Sequence, residues 1–204
     1  MNSSDILSFM NIDRSYGIPF IKGFVKISLD ENRIEEYKKS NETIAILYLI
    51  INSIKYKLEQ SDLTEAGTKI EMIENFEIIF STYNDLLDKL IDLIINALNE
   101  PVDESIFNLL KELYYLKKAK NKEDALKELN DETLNTFKKF ISADTYIFED
   151  ISKDSINSSL YDNFKNQFNS IKKIIKNITY LTYGDISLDL AKNSTDKLSE
   201  LINK

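Results

Sequence analysis

The residues with the clearest capacity for chemistry in this sequence are carboxylates in two pairs with i, i+3 spacing. Glu71 and Glu74 form the first pair, and Glu100 and Asp103 form the second. On a helix, side chains three positions apart share a face, and their oxygens are ligands that Mg²⁺ prefers. One helix face does not supply six convergent oxygens, however, and Pro101 places the second pair in a turn. The spacing alone therefore defines no metal site.

The two pairs resemble the ExxE and ExxD motifs with which the MazG-like nucleotide pyrophosphatases bind magnesium. The resemblance covers eight residues of the chain. It implies an all-α, magnesium-dependent enzyme, and we keep that function as a third hypothesis behind two binding functions.

Two missing residue types exclude most other catalytic chemistry. The sequence has no Cys, so it has no thiolate nucleophile or thiolate metal ligand, and it has no His, the commonest general base and zinc ligand. The four glycines are scattered, so no glycine-rich phosphate loop is present. We therefore expect a protein that is not an enzyme and has no catalytic residues, cofactor or metal.

Acidic residues are concentrated between positions 59 and 104, where twelve acidic residues accompany two basic ones. If this stretch is helical, five of them lie away from its apolar stripe: Glu71, Glu74, Asp85, Asp88 and Asp92. The last three are similar to the aspartate-rich magnesium motif of isoprenoid synthases, without its adjacent double aspartate. This acidic face is either a solvated surface or a contact surface for a basic partner, and both interpretations stay open.

Lysines form two clusters in the second half of the chain. The members are Lys117, Lys118, Lys120 and Lys122 in one, and Lys172, Lys173 and Lys176 in the other. Such clusters can contact a nucleic-acid backbone by displacing counterions, or they can complement the negative end of a helix. Interleaved aromatic residues and arginines, which would favour nucleic acid, are missing from both clusters.

The stretch from Thr68 to Asn99 is predicted to form one long central helix, because its apolar residues recur at spacings of three and four. They are Met72, Phe76, Ile79, Phe80, Tyr83, Leu86, Leu87, Leu90, Leu93, Ile94 and Ala97. Four Gly and two Pro are too few for a large, turn-rich β fold. The expected fold is mainly α: one helical bundle domain over residues 1–204, built around the helix at about 68–99.

Two segments depart from the helical period. From Phe20 to Leu29 apolar and polar residues alternate, which predicts a strand. Residues 179–190 contain Gly184-Asp185 between two short apolar runs, which favours a C-terminal hairpin; with segment 20–29 it would form a small antiparallel sheet. In the alternative interpretation residues 185–203 are helical, and the sequence leaves both open.

Membrane and export signals are not recognisable in the sequence. Residues 1–10 lack the basic start and apolar run of a signal peptide. The most apolar stretch, residues 44–51, has eight residues, whereas a bilayer span needs about 20. We therefore expect a cytoplasmic protein without a membrane span.

These observations predict a non-enzymatic helical protein that acts through protein–protein contact, as an assembly subunit, adaptor or inhibitor, for instance of a virus or mobile element. A protein partner or a second copy would cover the apolar sides of the central helix that a single helix seam leaves open. The alternative is a small helical subunit of a nucleoprotein complex that contacts nucleic acid through the lysine clusters.

Overall fold

The fold is taken from a computed structural model, which describes residues 20–30, 32–34, 40–73, 76–127 and 151–202. Side chains are described for these residues except at positions 116–127 and 153. The chain forms two compact units. The first lies within Met1–Glu31, Ile54–Glu100 and Asn169–Lys204, and the second within Asn32–Ser53 and Pro101–Phe168.

Runs of helices separate most of the strands along the described part of the chain. In order they are β1 (Phe20–Leu29), α1 (Asn41–Glu59), α2 (Asp62–Glu65), β2 (Lys69–Ile73), β3 (Glu77–Tyr83), a 3-10 turn (Asn84–Leu86), α3 (Leu87–Asn99), α4 (Glu104–Lys127), α5 (Lys153–Ser158), α6 (Tyr161–Lys172), β4 (Ile175–Gly184) and α7 (Leu188–Ser199).

The first unit is built on a four-stranded sheet in the order β2-β3-β1-β4, with every neighbouring pair antiparallel. Its inner face is closed to solvent, because alternate residues of the strands are buried there. These residues are Ile21, Val25, Ile27, Met72, Ile78, Phe80 and Thr82. Helix α7 contacts β4 and α3.

Gly23 allows a bulky residue to lie over the centre of the inner face. It pairs with Phe80 of the neighbouring strand. A Cβ atom at position 23 would lie 2.2 Å from Cζ of the Phe80 ring, far inside van der Waals contact. The glycine is therefore required by the close approach of the aromatic ring rather than by a turn.

Helix α3 supplies apolar side chains to the core of the first unit. Its buried residues are Leu87, Leu90, Ile91, Ile94, Ala97 and Leu98. Two lysine side chains reach the carbonyl groups at its C-terminal end: Lys57 Nζ donates to the oxygen of Glu100 at 2.6 Å, and Lys172 Nζ to that of Asn99 at 2.7 Å. Positive charge at this end of a helix complements its dipole and satisfies carbonyls that lack a helical partner.

The second unit is helical, and aromatic rings form much of its core. Phe107 of α4 lies 5.0 Å from the ring centroid of Phe164 and 5.6 Å from that of Tyr161, both on α6. Lys111 Nζ donates to the carbonyl oxygens of Asn157 and Ser159, which lie at and just after the end of α5. Burial lowers the pKa of Lys111 from its usual value.

The structure shows that the prediction of one central helix over Thr68–Asn99 is wrong, and with it the prediction of a helical bundle around that helix. Residues 69–83 form the β2 and β3 strands, and only Leu87–Asn99 is α-helical. Burial follows the strand period: Ile78 and Thr82, which the helical stripe omitted, are fully buried, whereas the predicted core residue Ile79 is 42% exposed. Pairing with β1 selects the period of two over the period of 3.6.

The strand predicted from Phe20 to Leu29 is present as β1. The predicted hairpin at 179–190 is wrong, because β4 ends at Gly184 and residues from Leu188 onward are helical. Ser187 begins that helix, since its Oγ accepts a hydrogen bond from the Leu190 amide. The predicted antiparallel pairing of this segment with residues 20–29 is present, because β4 pairs antiparallel with β1. The alternative prediction of a helix after Gly184 matches α7.

None of the helices in the described part of the chain is both long enough and apolar enough to cross a membrane.

Replacement of Gly23 by alanine is expected to lower the free energy of unfolding by about 1–3 kcal/mol, because the added methyl group overlaps the Phe80 ring. Chemical denaturation measures this loss. In the double variant Gly23→Ala/Phe80→Leu the smaller side chain at position 80 leaves room for the added methyl group. The losses of stability in the two single variants should therefore sum to more than the loss in the double variant. Strictly additive losses would contradict the overlap.

Replacement of Leu90 by aspartate should cost about 4 kcal/mol or more, because the side chain of Leu90 is fully buried and a carboxylate there has no partner. The matched control is Lys89→Asp on the adjacent, exposed position, which should change stability by less than about 1 kcal/mol. Thermal unfolding monitored by circular dichroism compares the two variants. Equal melting temperatures would show that α3 is not part of the core.

Candidate functional site

The outer face of the sheet is the most distinctive surface among the described residues. Successive strand residues point to opposite faces, so the residues between the buried ones lie on this outer side. Cross-strand pairing arranges them in rows. We call this surface the open face.

The open face consists of three rows of four residues, each in the order β2, β3, β1, β4, and of one further pair, Phe20 and Tyr83. The Lys22 row contains Lys69, Ser81, Lys22 and Tyr183; the Phe24 row contains Glu71, Ile79, Phe24 and Leu181; the Lys26 row contains Ile73, Glu77, Lys26 and Thr179. Phe20 and Tyr83 pair beyond the Lys22 row, with their ring centroids 5.6 Å apart.

Large apolar side chains on the open face are accessible to solvent. Leu181 is 56% exposed and Tyr183 is 58% exposed, and Ile73, Ile79 and Tyr83 are each at least 40% exposed. A depression of about 520 Å³ lies over this part of the sheet. Its lining includes Lys22, Phe24, Lys69, Ile79, Leu181 and Tyr183.

Charged side chains on the open face differ in whether they are paired. Lys26 Nζ lies 2.6 Å from a carboxylate oxygen of Glu77, its neighbour in the same row. Within the described part of the chain, Lys22, Lys69 and Glu71 form neither a salt bridge nor a side-chain hydrogen bond. Lys22 lies on β1, an inner strand, and therefore near the middle of the face.

The predicted acidic face is not one surface in the structure. Glu71 lies on the open face, whereas Asp85 lies in the turn before α3, and Glu74 is outside the described residues. Asp88 and Asp92 share an ion-pair partner, because Lys197 Nζ of α7 lies 2.8 Å from the first carboxylate and 2.7 Å from the second. These two aspartates thus help to hold α7 on α3.

The described members of the carboxylate pairs with i, i+3 spacing belong to different kinds of element. Glu71 is on a strand, and Asp103 caps α4, where its Oδ1 accepts hydrogen bonds from the Ser105 hydroxyl and the Ile106 amide. These bonds, that of Ser105 above all, lower the pKa of Asp103. Over the residues that the structure describes, we find no group of three acidic side chains placed to hold a metal ion. The pyrophosphatase resemblance implies an all-α fold. The described residues contradict it, because they include a four-stranded sheet.

The lysine clusters occupy different environments. Lys117, Lys118, Lys120 and Lys122 all fall within α4, where the structure describes the backbone alone. Lys172 at the end of α6 donates to the carbonyl of Asn99, whereas Lys173 and Lys176 are exposed. Contact of these lysines with nucleic acid stays a prediction.

Sequence reasoning missed strands β2 and β3, and with them the open face, although the sequence contains a signal for these two strands. Two runs with period two, Ile70 with Met72 and Ile78 with Phe80, lie on either side of Glu74-Asn75. Further apolar residues, such as Ile79, lie between or beside the members of these runs. Together with them, the apolar positions also fit the spacing of a helix.

Removal of the Lys197 ammonium in Lys197→Met should lower stability by about 0.5–1 kcal/mol, since two partly exposed ion pairs are lost. The loss should shrink at high salt. Hydrogen bonds to Asp88 and Asp92 raise the pKa of Lys197, so this contribution is complete below the ordinary lysine pKa of 10.5 and disappears as the pH rises through the higher folded-state value. Denaturation at two salt concentrations measures it.

Lys192→Met is the matched control for that experiment, because Lys192 is an exposed lysine of the same helix without an ion pair in the described structure. Its replacement should leave stability unchanged at both salt concentrations. If both variants behave alike, the Lys197 pairs contribute nothing measurable.

No protein-family model and no curated protein matches this sequence. Among solved structures, a crystal structure of pitrilysin contains a region of similar fold, with a TM-score of 0.65 and 11% sequence identity. The match covers 94% of this chain and 20% of the pitrilysin chain, so the chain spans about one fifth of the length of that protein. At this identity the likeness shows the fold alone and does not decide whether the chain is an enzyme.

Proposed function

We propose that this chain is a non-enzymatic binding module that contacts another protein domain through the open face of its sheet. One observation carries the proposal. Of the nine large apolar residues that are exposed in the described part of the chain, five lie on this single face: Ile73, Ile79, Tyr83, Leu181 and Tyr183.

The physical basis is the cost of leaving a concentrated apolar surface in water. Scattered exposed apolar residues are normal, whereas a contiguous apolar patch is typical of an interaction surface. Full burial of a side chain such as Leu181 contributes about 1.5–3 kcal/mol, and several neighbouring residues of this kind can offset the entropy that association costs.

The region of pitrilysin that this chain resembles belongs to a longer polypeptide. The matching region makes up one fifth of the pitrilysin chain, so a fold of this type occurs there as one part of a longer polypeptide. We propose that this chain likewise acts in contact with other domains, whether these belong to the same polypeptide or to another.

Pitrilysin is a protease, so peptide hydrolysis is the activity that the likeness would suggest for this chain. The composition of this chain argues against that activity here. It has neither His nor Cys to serve as general base, thiol nucleophile or nitrogen or sulfur metal ligand. The described carboxylates do not form a metal-binding group in their place.

Leu181→Asp is expected to abolish partner binding, since it places a charge beside Phe24 among the exposed apolar side chains of the open face. The matched control is Leu188→Asp, because Leu188 is also 56% exposed but lies at the start of α7. Both variants should keep the wild-type melting temperature. Partners captured from the native cell by the wild-type chain should be retained by the control and reduced at least tenfold by Leu181→Asp.

Identical capture by all three proteins would contradict binding through the open face. The non-enzymatic part of the proposal is tested separately, with a mixture of unstructured peptides incubated with the purified chain and followed by mass spectrometry. We expect no cleavage, and cleavage by the purified wild-type chain would disprove it.

A further inference from the structure

We infer that the partner is a polypeptide segment that places a carboxylate against Lys22, between apolar side chains that cover the open face. This inference rests on the proposed function, because it assumes that a protein covers this face. It adds the chemistry by which the partner is recognised.

The argument begins with the position of Lys22. It lies on β1, between β3 and β4, with Ser81 and Tyr183 as its neighbours in the row. Phe20 and Phe24 lie on the same face two residues before and after it. The ammonium group therefore extends from the middle of an aromatic and apolar surface.

The other central lysine of the open face already has a carboxylate partner. Lys26 is paired with Glu77 at 2.6 Å, so the Lys26 row can be covered without a new charge. Lys22 has no such partner in the described structure. Of the two lysines on the central strand β1, only Lys22 therefore needs an anion, and Lys69, which is also unpaired, lies on the edge strand β2.

Covering the face takes Lys22 out of water. An ammonium group that is buried without a partner is strongly unfavourable, and one that is paired with a well-placed carboxylate is tolerated. Any protein that binds here without opposing Lys22 loses affinity, so this lysine selects partners with an acidic side chain. The apolar residues around it supply affinity, and Lys22 supplies specificity.

The charge balance favours a polypeptide over a membrane surface. Lys22, Lys26 and Lys69 are opposed on the same face by Glu71 and Glu77, which leaves a net charge of +1. Stable attraction to anionic lipid uses clusters of several basic residues. One carboxylate within an apolar segment matches this surface.

The test uses a phage-displayed library of random 16-residue peptides, selected on the wild-type chain and depleted on Leu181→Asp. Enriched peptides are synthesised, and their affinities are measured by fluorescence polarisation. We expect an Asp or Glu between apolar residues in these peptides. Lys22→Gln should weaken binding about tenfold or more, whereas Lys192→Gln, at an exposed position outside the face, should have no effect.

A double-mutant cycle identifies the contact. Replacing the acidic residue of the peptide by its amide should weaken binding to the wild-type chain to the same extent, and it should cause no further loss with Lys22→Gln. Peptide binding that requires Leu181 but is unaffected by Lys22→Gln overturns the inference and leaves the proposed function intact. If no selected peptide depends on Leu181, the inference fails, and the proposed function is then decided by the capture experiment with Leu181→Asp and Leu188→Asp.

Two further outcomes would replace the polypeptide by another occupant. Binding to phosphatidylserine vesicles that is lost in Lys22→Gln, without any Leu181-dependent peptide, would overturn the inference in favour of a lipid surface. Self-association in sedimentation that is lost in Leu181→Asp, again without such a peptide, would overturn it in favour of a second copy.

Discussion

Hydrogen bonding of β1 to a strand on each side is the constraint on which the first unit depends. β1 pairs with β3, about 55 residues later, and with β4, about 155 residues later. This pairing fixes the register of both neighbours. It therefore decides which residues of three distant segments are buried together, and Phe80 over Gly23 is one result.

The same pairing produces two faces of different character. The inner face carries fully buried residues such as Ile21, Val25 and Ile78, whereas the open face leaves Leu181 and Tyr183 more than half exposed. A single register thus creates both the core and the candidate binding surface. A one-residue slip would exchange them, which is why the register must be strongly specified.

Several lysines in the described structure bind the ends of helices or join one helix to another. Lys57 and Lys172 bind carbonyls at the C-terminal end of α3, Lys111 binds two near the end of α5, and Lys197 joins α7 to two aspartates. Burial lowers the pKa of Lys57, because the charged ammonium group loses solvation at the end of α3. Lys22 differs from these lysines, because it is unpaired and lies near the middle of an apolar face, and the proposed contact with a carboxylate rests on that position.

Features that follow from a local residue pattern were predictable from the sequence. β1 was predicted with its observed bounds, because its alternation has no competing helical period. The apolar stripe of α3 was also predictable from its residue spacing, and the lack of His and Cys is evident from the composition. The structure of residues 69–83 depends on long-range contacts. Their apolar residues fit the period of a helix and that of a strand, and pairing of β3 with the distant β1 and of β2 with β3 selects the strand. The open face could not be predicted, because it exists only once β2, β3, β1 and β4 lie side by side.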